Sequence, residues 1–197
     1  MLVIKKCAQS EQIIKGSRFL AESFVVETQA QAREKISAQK KKYADATHVC
    51  HAFVCGKNGE ILGMSDDGEP SGTAGRPMLD VLKGKNCTNT LVTVTRWFGG
   101  TLLGTGGLVK AYGDGAKNVL SQTIFEEFIE KTDFKIECGY EKLSVIKKTM
   151  EDFSIFDLTE DFGEKITIRG KIPKIDFDNF SKTIFDKSNG KIPVLSE

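Results

Sequence analysis

The sequence predicts an α+β protein of two domains, one covering residues 1–133 and the other residues 134–197. Its length of 197 residues lies between the usual lengths of one and two domains. Glycine is the second observation, because 14 of the 19 glycines lie between residues 56 and 115. The third is a change after residue 133, where apolar residues begin to recur at strand and helix periods. We therefore expect a glycine-rich first domain and a more regular second domain.

The first domain is expected to mix strands and helices. Residues 46–56 and 89–98 are rich in valine, threonine and aromatic residues, which favour strands, and residues 17–26 suggest another strand. Residues 28–43 have the composition of an exposed helix. Residues 106–123 predict a helix with one apolar face, formed by Leu108, Tyr112, Ala116, Val119 and Leu120.

The second domain shows the two periods in turn. Alternation predicts a strand through Phe134, Ile136, Cys138 and Tyr140. Helical spacing follows at Leu143, Ile146, Met150 and Phe153. Short strands are expected at residues 155–158 and 166–172, then a helix with Phe177, Phe180 and Ile184 inward that ends near Gly190, and a closing strand at residues 191–195. The order βαββαβ is that of a ferredoxin-like domain.

Charge and cysteine content narrow the class of protein. The formal net charge of +1 gives no global field that would draw the chain to nucleic acid or an anionic membrane, so such contacts need a local patch. Five scattered cysteines without a CxxC pair argue against a secreted disulfide framework. No run of 18 apolar residues and no signal peptide is found. We expect a soluble, cytoplasmic protein with reduced thiols and no membrane partner.

The segment from residue 65 to residue 79 is expected to be a long, shaped loop, with a short helix from Pro77 toward Gly84. It is nearly free of apolar residues, and its glycines and prolines fix turns at particular points. Its candidate functional side chains are polar or acidic: Asp66, Asp67, Glu69, Ser71 and Thr73.

A second glycine-rich segment, residues 96–108, runs from a strand end into a helix. Free amides and the positive dipole end at a helix start suit phosphate or carboxylate, and glycine allows close approach. Neither a Walker loop nor a GxGxxG motif is present, so no nucleotide is implied. The alternative is that these glycines only permit tight turns and close packing. The anion-binding candidates are Arg76, Arg96, Gly99, Gly100, Gly104, Thr105, Gly106, Gly107 and Lys110.

Arg96 connects the two segments. On an alternating strand it shares a face with Val92 and Val94, so it is either buried or held at the rim of a core. A buried guanidinium needs a carboxylate, and the acidic loop supplies three. Their pairing would make the loop and the strand end one site, or it would be a structural ion pair that holds the loop.

The fragment that contains His48 and Cys50 suggests a metal or a nucleophile. Alternation places His48 and Cys50 on one face but His51 and Cys55 on the other, so they cannot surround one zinc ion. Cys50 activated by His48 stays open, although their side chains would lie roughly 6 to 7 Å apart, and a half-buried thiol is the simpler interpretation. No metal or cofactor is expected, and no residue is assigned a catalytic role. The lysine run at residues 40–42 is interpreted as a solvated helix end.

Residues 66–79 and 95–112 together resemble the IMPACT family, whose bacterial members are called YigZ-like proteins. Residues 46–52 are similar to the family's strand with histidine and cysteine, although Val49 and His51 depart from it, and Trp97 stands where tyrosine or phenylalanine is usual. The resemblance implies a ribosomal protein S5 domain 2-like N-terminal domain followed by a ferredoxin-like domain. Eukaryotic relatives regulate amino-acid-starvation signalling by binding the co-activator of a translation-factor kinase.

The resemblance implies a regulatory binding protein of the translation apparatus. We expect it to contact RNA, the ribosome or a translation factor through a glycine-rich face, where Arg96 and Arg76 would bind phosphate groups. Sequence-specific DNA binding is not expected. The alternative is an enzyme on a small phosphate- or carboxylate-bearing substrate, with Asp66, Asp67 or Glu69 as general acid or base. A third class is a regulator that uses the same loop only to bind proteins.

Overall fold

A computed structural model describes residues 1–196 of the chain. It divides into two compact units, Met1–Phe128 and the part that begins at Ile129. Among these described residues, no helix is both long and apolar enough to cross a lipid bilayer.

The first unit contains seven strands and three helices. The strands are β1 (Leu2–Lys6), β2 (Gln9–Ile14), β3 (Ser17–Val25), β4 (His48–Cys55), β5 (Ile61–Ser65), β6 (Thr90–Trp97) and β7 (Ile124–Glu127). The helices are α1 (Gln29–Lys42), α2 (Gly75–Lys85) and α3 (Thr105–Gln122). Five strands form an antiparallel sheet in the order β2-β3-β6-β4-β5, while β1 and β7 pair separately.

The large sheet is covered by helices on both faces. On one face α2 and α3 pack over Phe19, Val92 and Val94, and on the other α1 packs over Phe53 and Leu91. The predicted apolar face of α3 is buried along its length. Arg96 shares the Val92 and Val94 face because alternate residues of β6 point the same way, which places its guanidinium beside the main core.

A local signal explains where α1 begins. Thr28 caps α1, since its hydroxyl accepts a 3.2 Å hydrogen bond from the amide of Gln31. The expected short helix from Pro77 toward Gly84 is present as α2, but it begins earlier, at Gly75, so the loop ends before residue 75 rather than at residue 79. The short polar or exposed strands β1, β2, β5 and β7 have no strong period in the sequence and are additions to the prediction.

The second unit has the predicted strand and helix order. It consists of β8 (Lys131–Cys138), α4 (Tyr140–Met150), β9 (Phe156–Phe162), β10 (Ile166–Pro173), α5 (Phe177–Lys187) and β11 (Val194–Ser196). The sheet order is β11-β8-β10-β9, all antiparallel. The prediction that Tyr140 is a buried residue of the strand is wrong. Tyr140 begins α4 and is 58% exposed, because the chain turns at Gly139.

Candidate functional site

A buried ion pair joins the acidic loop to β6. Nη1 of Arg96 lies 2.7 Å from Oε1 of Glu69, and both side chains are at most 6% exposed. The hydroxyl of Tyr112 on α3 donates to the same oxygen at 2.7 Å. The expected pairing of Arg96 with one of the three loop carboxylates is confirmed, and the partner is Glu69. One carboxylate therefore holds the loop, the central strand and a helix together.

Ser17 links this network to the segment that follows β6. Its Oγ accepts hydrogen bonds from Nη2 of Arg96 at 3.3 Å and from the amide of Gly99 at 3.1 Å. A side chain at Gly99 would overlap the backbone of Gly16 and Ser17, so glycine is required for this close approach. Sequence reasoning missed Ser17, because a serine that begins a strand carries no local signal of such a distant contact.

The sequence predicts that Tyr112 lies on the core face of α3, but it does not predict the hydrogen bond of Tyr112 to Glu69. The sequence did hold a signal for such a hydrogen bond, because a buried tyrosine hydroxyl usually has a hydrogen-bond partner. Burial of Tyr112 raises the pKa of its hydroxyl far above the ordinary value, so it acts here as a donor. The contact to Glu69 makes this tyrosine a support for the site rather than only a core residue.

Asp66 shapes the acidic loop by binding backbone amides. Its carboxylate accepts hydrogen bonds from the amides of Gly72, Ala74 and Gly75 at 2.8 to 2.9 Å. Desolvation opposes ionisation, but these three hydrogen bonds outweigh it and hold the pKa of Asp66 below its ordinary value. The bonds to the last two amides also explain why α2 begins at Gly75 rather than later.

Asp67 ties the loop to the beginning of β4 and to α1. Its Oδ2 accepts a hydrogen bond from the amide of Val49 at 2.7 Å, and its Oδ1 forms an ion pair with Lys40. Residues 40–42 are an exposed helix end, as predicted, and two of them also form ion pairs, Lys40 with Asp67 and Lys42 with Glu22 at 3.1 Å. These lysines fasten the helix end to neighbouring elements.

His48 and Cys50 support the loop and do not form a nucleophilic pair. Nδ1 of His48 lies 2.8 Å from the carbonyl oxygen of Asp67, and its Nε2 lies 3.9 Å from Oε2 of Glu69. The thiol of Cys50 donates to the carbonyl of Asp66 at 3.0 Å. Burial raises the pKa of Cys50 to about 12, so the thiol stays protonated at neutral pH. The interpretation of Cys50 as an activated nucleophile is not supported by this geometry.

The glycine-rich face, defined as residues 98–107, is the open part of the site. Most of its residues are exposed, and Gly100 and Gly104 have positive φ angles of 84° and 75°. Gly104 precedes α3 without a side-chain cap, and no acidic residue stands in the first turn. The amide of Leu108 bonds to the carbonyl of Gly104, which leaves the amides of residues 105–107 without a partner within residues 1–196. The start of α3 therefore has three backbone donors that are unpaired within the described residues.

Several predicted residues lie apart from the buried network. Arg76 is exposed and pairs with Asp80 of its own helix, at 3.0 Å. Ser71 is exposed, and the hydroxyl of Thr73 donates to the carbonyl of Pro70 at 2.6 Å. Lys110 is exposed on α3 and has no ion pair within the part of the chain that the structure describes. The structure thus unites Arg96 with Glu69 but places Arg76 and Lys110 at the surface.

The two aromatic residues after Arg96 have different environments. The ring of Trp97 packs edge-on against Tyr43, at 5.5 Å between centroids, and its Nε1 donates to Asp45 at 2.8 Å. Arg18 covers the same ring at 4.5 Å. Phe98 is 46% exposed and lies 5.5 Å from the Arg96 guanidinium carbon. Trp97 is therefore committed to packing, whereas Phe98 is accessible.

No group of three or more histidine, cysteine, aspartate or glutamate side chains within residues 1–196 is arranged to hold a metal ion. The carboxylates of the acidic loop are instead bound to amides, to Lys40 and to Arg96. What the site offers chemically is a rigid buried support behind an exposed set of backbone donors.

The chain is similar in sequence and structure to several known proteins. The profile of the Impact N-terminal domain matches residues 15–120. A Haemophilus influenzae protein described as an IMPACT family member is 37% identical over 98% of this chain and 95% of its own length. The IMPACT family member YigZ of Escherichia coli is 34% identical over 93% of this chain and 91% of its own. A crystal structure of a hypothetical protein is 33% identical with a TM-score of 0.71, covering 100% of this chain and 96% of that one.

Proposed function

Because this chain belongs to the IMPACT family, we propose that it is a translation-associated regulatory binding protein that contacts RNA through its glycine-rich face. A ribosomal partner would present the same phosphate groups through its RNA. Membership of the IMPACT family supports the translation-related regulatory part of this proposal.

One observation carries the proposal: α3 begins with three open amides on an exposed, glycine-rich backbone. Helix starts of this kind favour anions, because the unpaired amides and the helix dipole both attract negative charge. At the position where a side chain of Gly106 would begin, no atom lies within 4 Å apart from its own helix backbone and chain neighbours, so this point of the first turn is open to a ligand. RNA phosphates are anions that such donors can bind.

The net charge of the chain is only +1, so the positive charge near the glycine-rich face must come from individual lysines. Lys110 lies one turn into α3, and Lys15 precedes Gly16, whose backbone contacts Gly99. Both lysines are exposed and have no ion pair within residues 1–196. We assign Arg96 a positioning role instead of direct phosphate contact, because its guanidinium is buried against Glu69 and Ser17.

The enzyme alternative has less support from the geometry. A general acid or base must reach a substrate, but Glu69 is 8% exposed and bound to Arg96 and Tyr112. Asp66 is bound to three amides, and Asp67 to Val49 and Lys40. The acidic loop therefore has no free carboxylate to offer, whereas the neighbouring glycine-rich face has free donors.

The test compares two glycine-to-alanine variants in helices. Gly106→Ala adds a methyl group to the first turn of α3, the turn that carries the open amides, and Gly84→Ala adds one to α2, where there is equal space. Binding of labelled single-stranded oligouridine is measured by fluorescence anisotropy. We expect the Kd to rise about five- to tenfold for Gly106→Ala, the equivalent of one lost charge-assisted hydrogen bond, and to stay unchanged for Gly84→Ala.

A salt titration gives the second readout. Phosphate contacts make the affinity fall steeply as salt rises from about 0.05 to 0.2 M. Equal binding by both variants, or an affinity that does not respond to salt, would contradict the proposal.

We also propose a fold family for each of the two units. The sheet order β11-β8-β10-β9 in the second unit supports a ferredoxin-like domain, since its first strand lies between the fourth and the third. The first unit, with helices on both faces of a five-stranded sheet, is proposed to be ribosomal protein S5 domain 2-like.

A further inference from the structure

A groove of about 680 Å³ lies between α1 and the edge strand β5. Its floor includes Phe53 and Gly63, which pair across β4 and β5, and Ile36 of α1 forms one wall. The groove is on the sheet face that α1 covers, whereas α3 and its open amides belong to the opposite face. It is therefore separate from the glycine-rich face.

The strand beside the groove is an unprotected edge. β5 pairs with β4 on one side and ends the sheet on the other. Its sequence, Ile-Leu-Gly-Met-Ser, has no charged residue or proline, and Ile61, Leu62 and Met64 are 38%, 40% and 48% exposed. At the opposite edge β2 carries Glu11 in an ion pair with Arg18. Proteins usually protect sheet edges with charges, so the bare edge of β5 is suited to pairing with another strand.

The groove is also electropositive. Arg33, Lys40 and Lys41 line it, and no acidic residue does. Lys40 is held by Asp67, but Arg33 and Lys41 are exposed and have no ion pair within residues 1–196. His51 adds no charge at neutral pH, because burial and the nearby Lys40 lower its pKa to about 4. A ligand whose charge complements this groove is therefore acidic.

We propose that this groove binds an extended acidic segment of a partner protein, which adds a strand to β5 and places its carboxylates against Arg33 and Lys41. Main-chain hydrogen bonds at the sheet edge would supply affinity, and the carboxylates would project toward α1. The alternate apolar side chains of the segment would lie on the opposite face of the sheet, beside the exposed Leu62 and Met64. RNA fits this groove less well, because the Phe53 ring is 3% exposed and offers no stacking platform.

The probe is a fluorescently labelled peptide of alternating glutamate and valine, added to the full chain. We expect the double variant Arg33→Glu with Lys41→Glu to weaken its binding by about tenfold, since like charges then face each other. Lys83→Glu with Lys148→Glu is the matched control, because it makes the same change in net charge at exposed positions of α2 and α4. The control is expected to bind as the parent protein does.

Amide hydrogen exchange of β5 distinguishes strand addition from general charge attraction. Bound peptide should slow exchange at residues 61–65, and an alternating lysine–valine peptide should not. The proposal is overturned by equal weakening in the two double variants, by peptide binding without protection of β5, or by oligouridine that protects β5 while the acidic peptide does not bind.

Discussion

The acidic loop, residues 65–74, and the glycine-rich face, residues 98–107, lie at the same end of the large sheet but use their polar groups in opposite ways. In the loop each carboxylate is bound by the protein itself, to amides, to Lys40 or to Arg96. In the face the amides at the start of α3 have no partner within residues 1–196. The polar groups of the loop therefore maintain the structure, whereas those of the face are available for a ligand. Variants in the two regions should therefore separate stability from binding.

Arg96→Met should give the largest effect. It removes one partner of a buried pair and leaves the Glu69 carboxylate buried beside Tyr112. We expect a loss of about 3–5 kcal/mol in the free energy of unfolding, measured by urea denaturation. Arg76→Met is the control, because the Arg76 pair with Asp80 is exposed and should be worth less than about 1 kcal/mol. Similar losses in the two variants would show that the buried network does not support the loop.

Asp66→Asn should have the next largest effect, about 2–3 kcal/mol, because hydrogen bonds to a charged carboxylate are replaced by weaker ones. The pKa of Asp66 is lowered in the folded state, so its stabilisation is complete above the ordinary aspartate pKa. It is lost as the pH falls through the lower folded value. Urea denaturation as a function of pH should therefore show a smaller acid-dependent loss for Asp66→Asn than for the parent protein. Identical pH profiles would contradict this role.

Gly106→Ala should have the smallest effect on stability and in the opposite direction. Alanine has a higher helix propensity than glycine, and the position has room for the added methyl group. We expect the free energy of unfolding to stay the same or to rise by up to about 1 kcal/mol. A thermal melt measures this. A marked destabilisation would mean that the glycine-rich face is also structural, and the contrast with the acidic loop would fail.

Periodicity in the sequence predicted the parts of the fold that rest on amphipathic patterns. The face that Arg96 shares with Val92 and Val94, the buried side of α3 and the element order of the second unit all follow from spacings of two or of three and four residues. These patterns are local, and a buried side chain must lie on the covered face whatever else the chain does.

The identity of the partners in the site could not be predicted in the same way. The sequence limited the partner of Arg96 to three acids, and the choice of Glu69 depends on a loop shape that Asp66 fixes through three amides. Ser17 is 79 residues from Arg96 along the chain, and no local pattern encodes such a contact. The RNA role of the glycine-rich face stays a prediction.

Backbone amide NMR during a titration with oligouridine locates the RNA contact residue by residue. The largest chemical-shift changes are expected on residues 104–107, at the open start of α3, and residues 66–74 of the acidic loop are expected to change little. Shift changes confined to other parts of the chain, with none at residues 104–107, would contradict it.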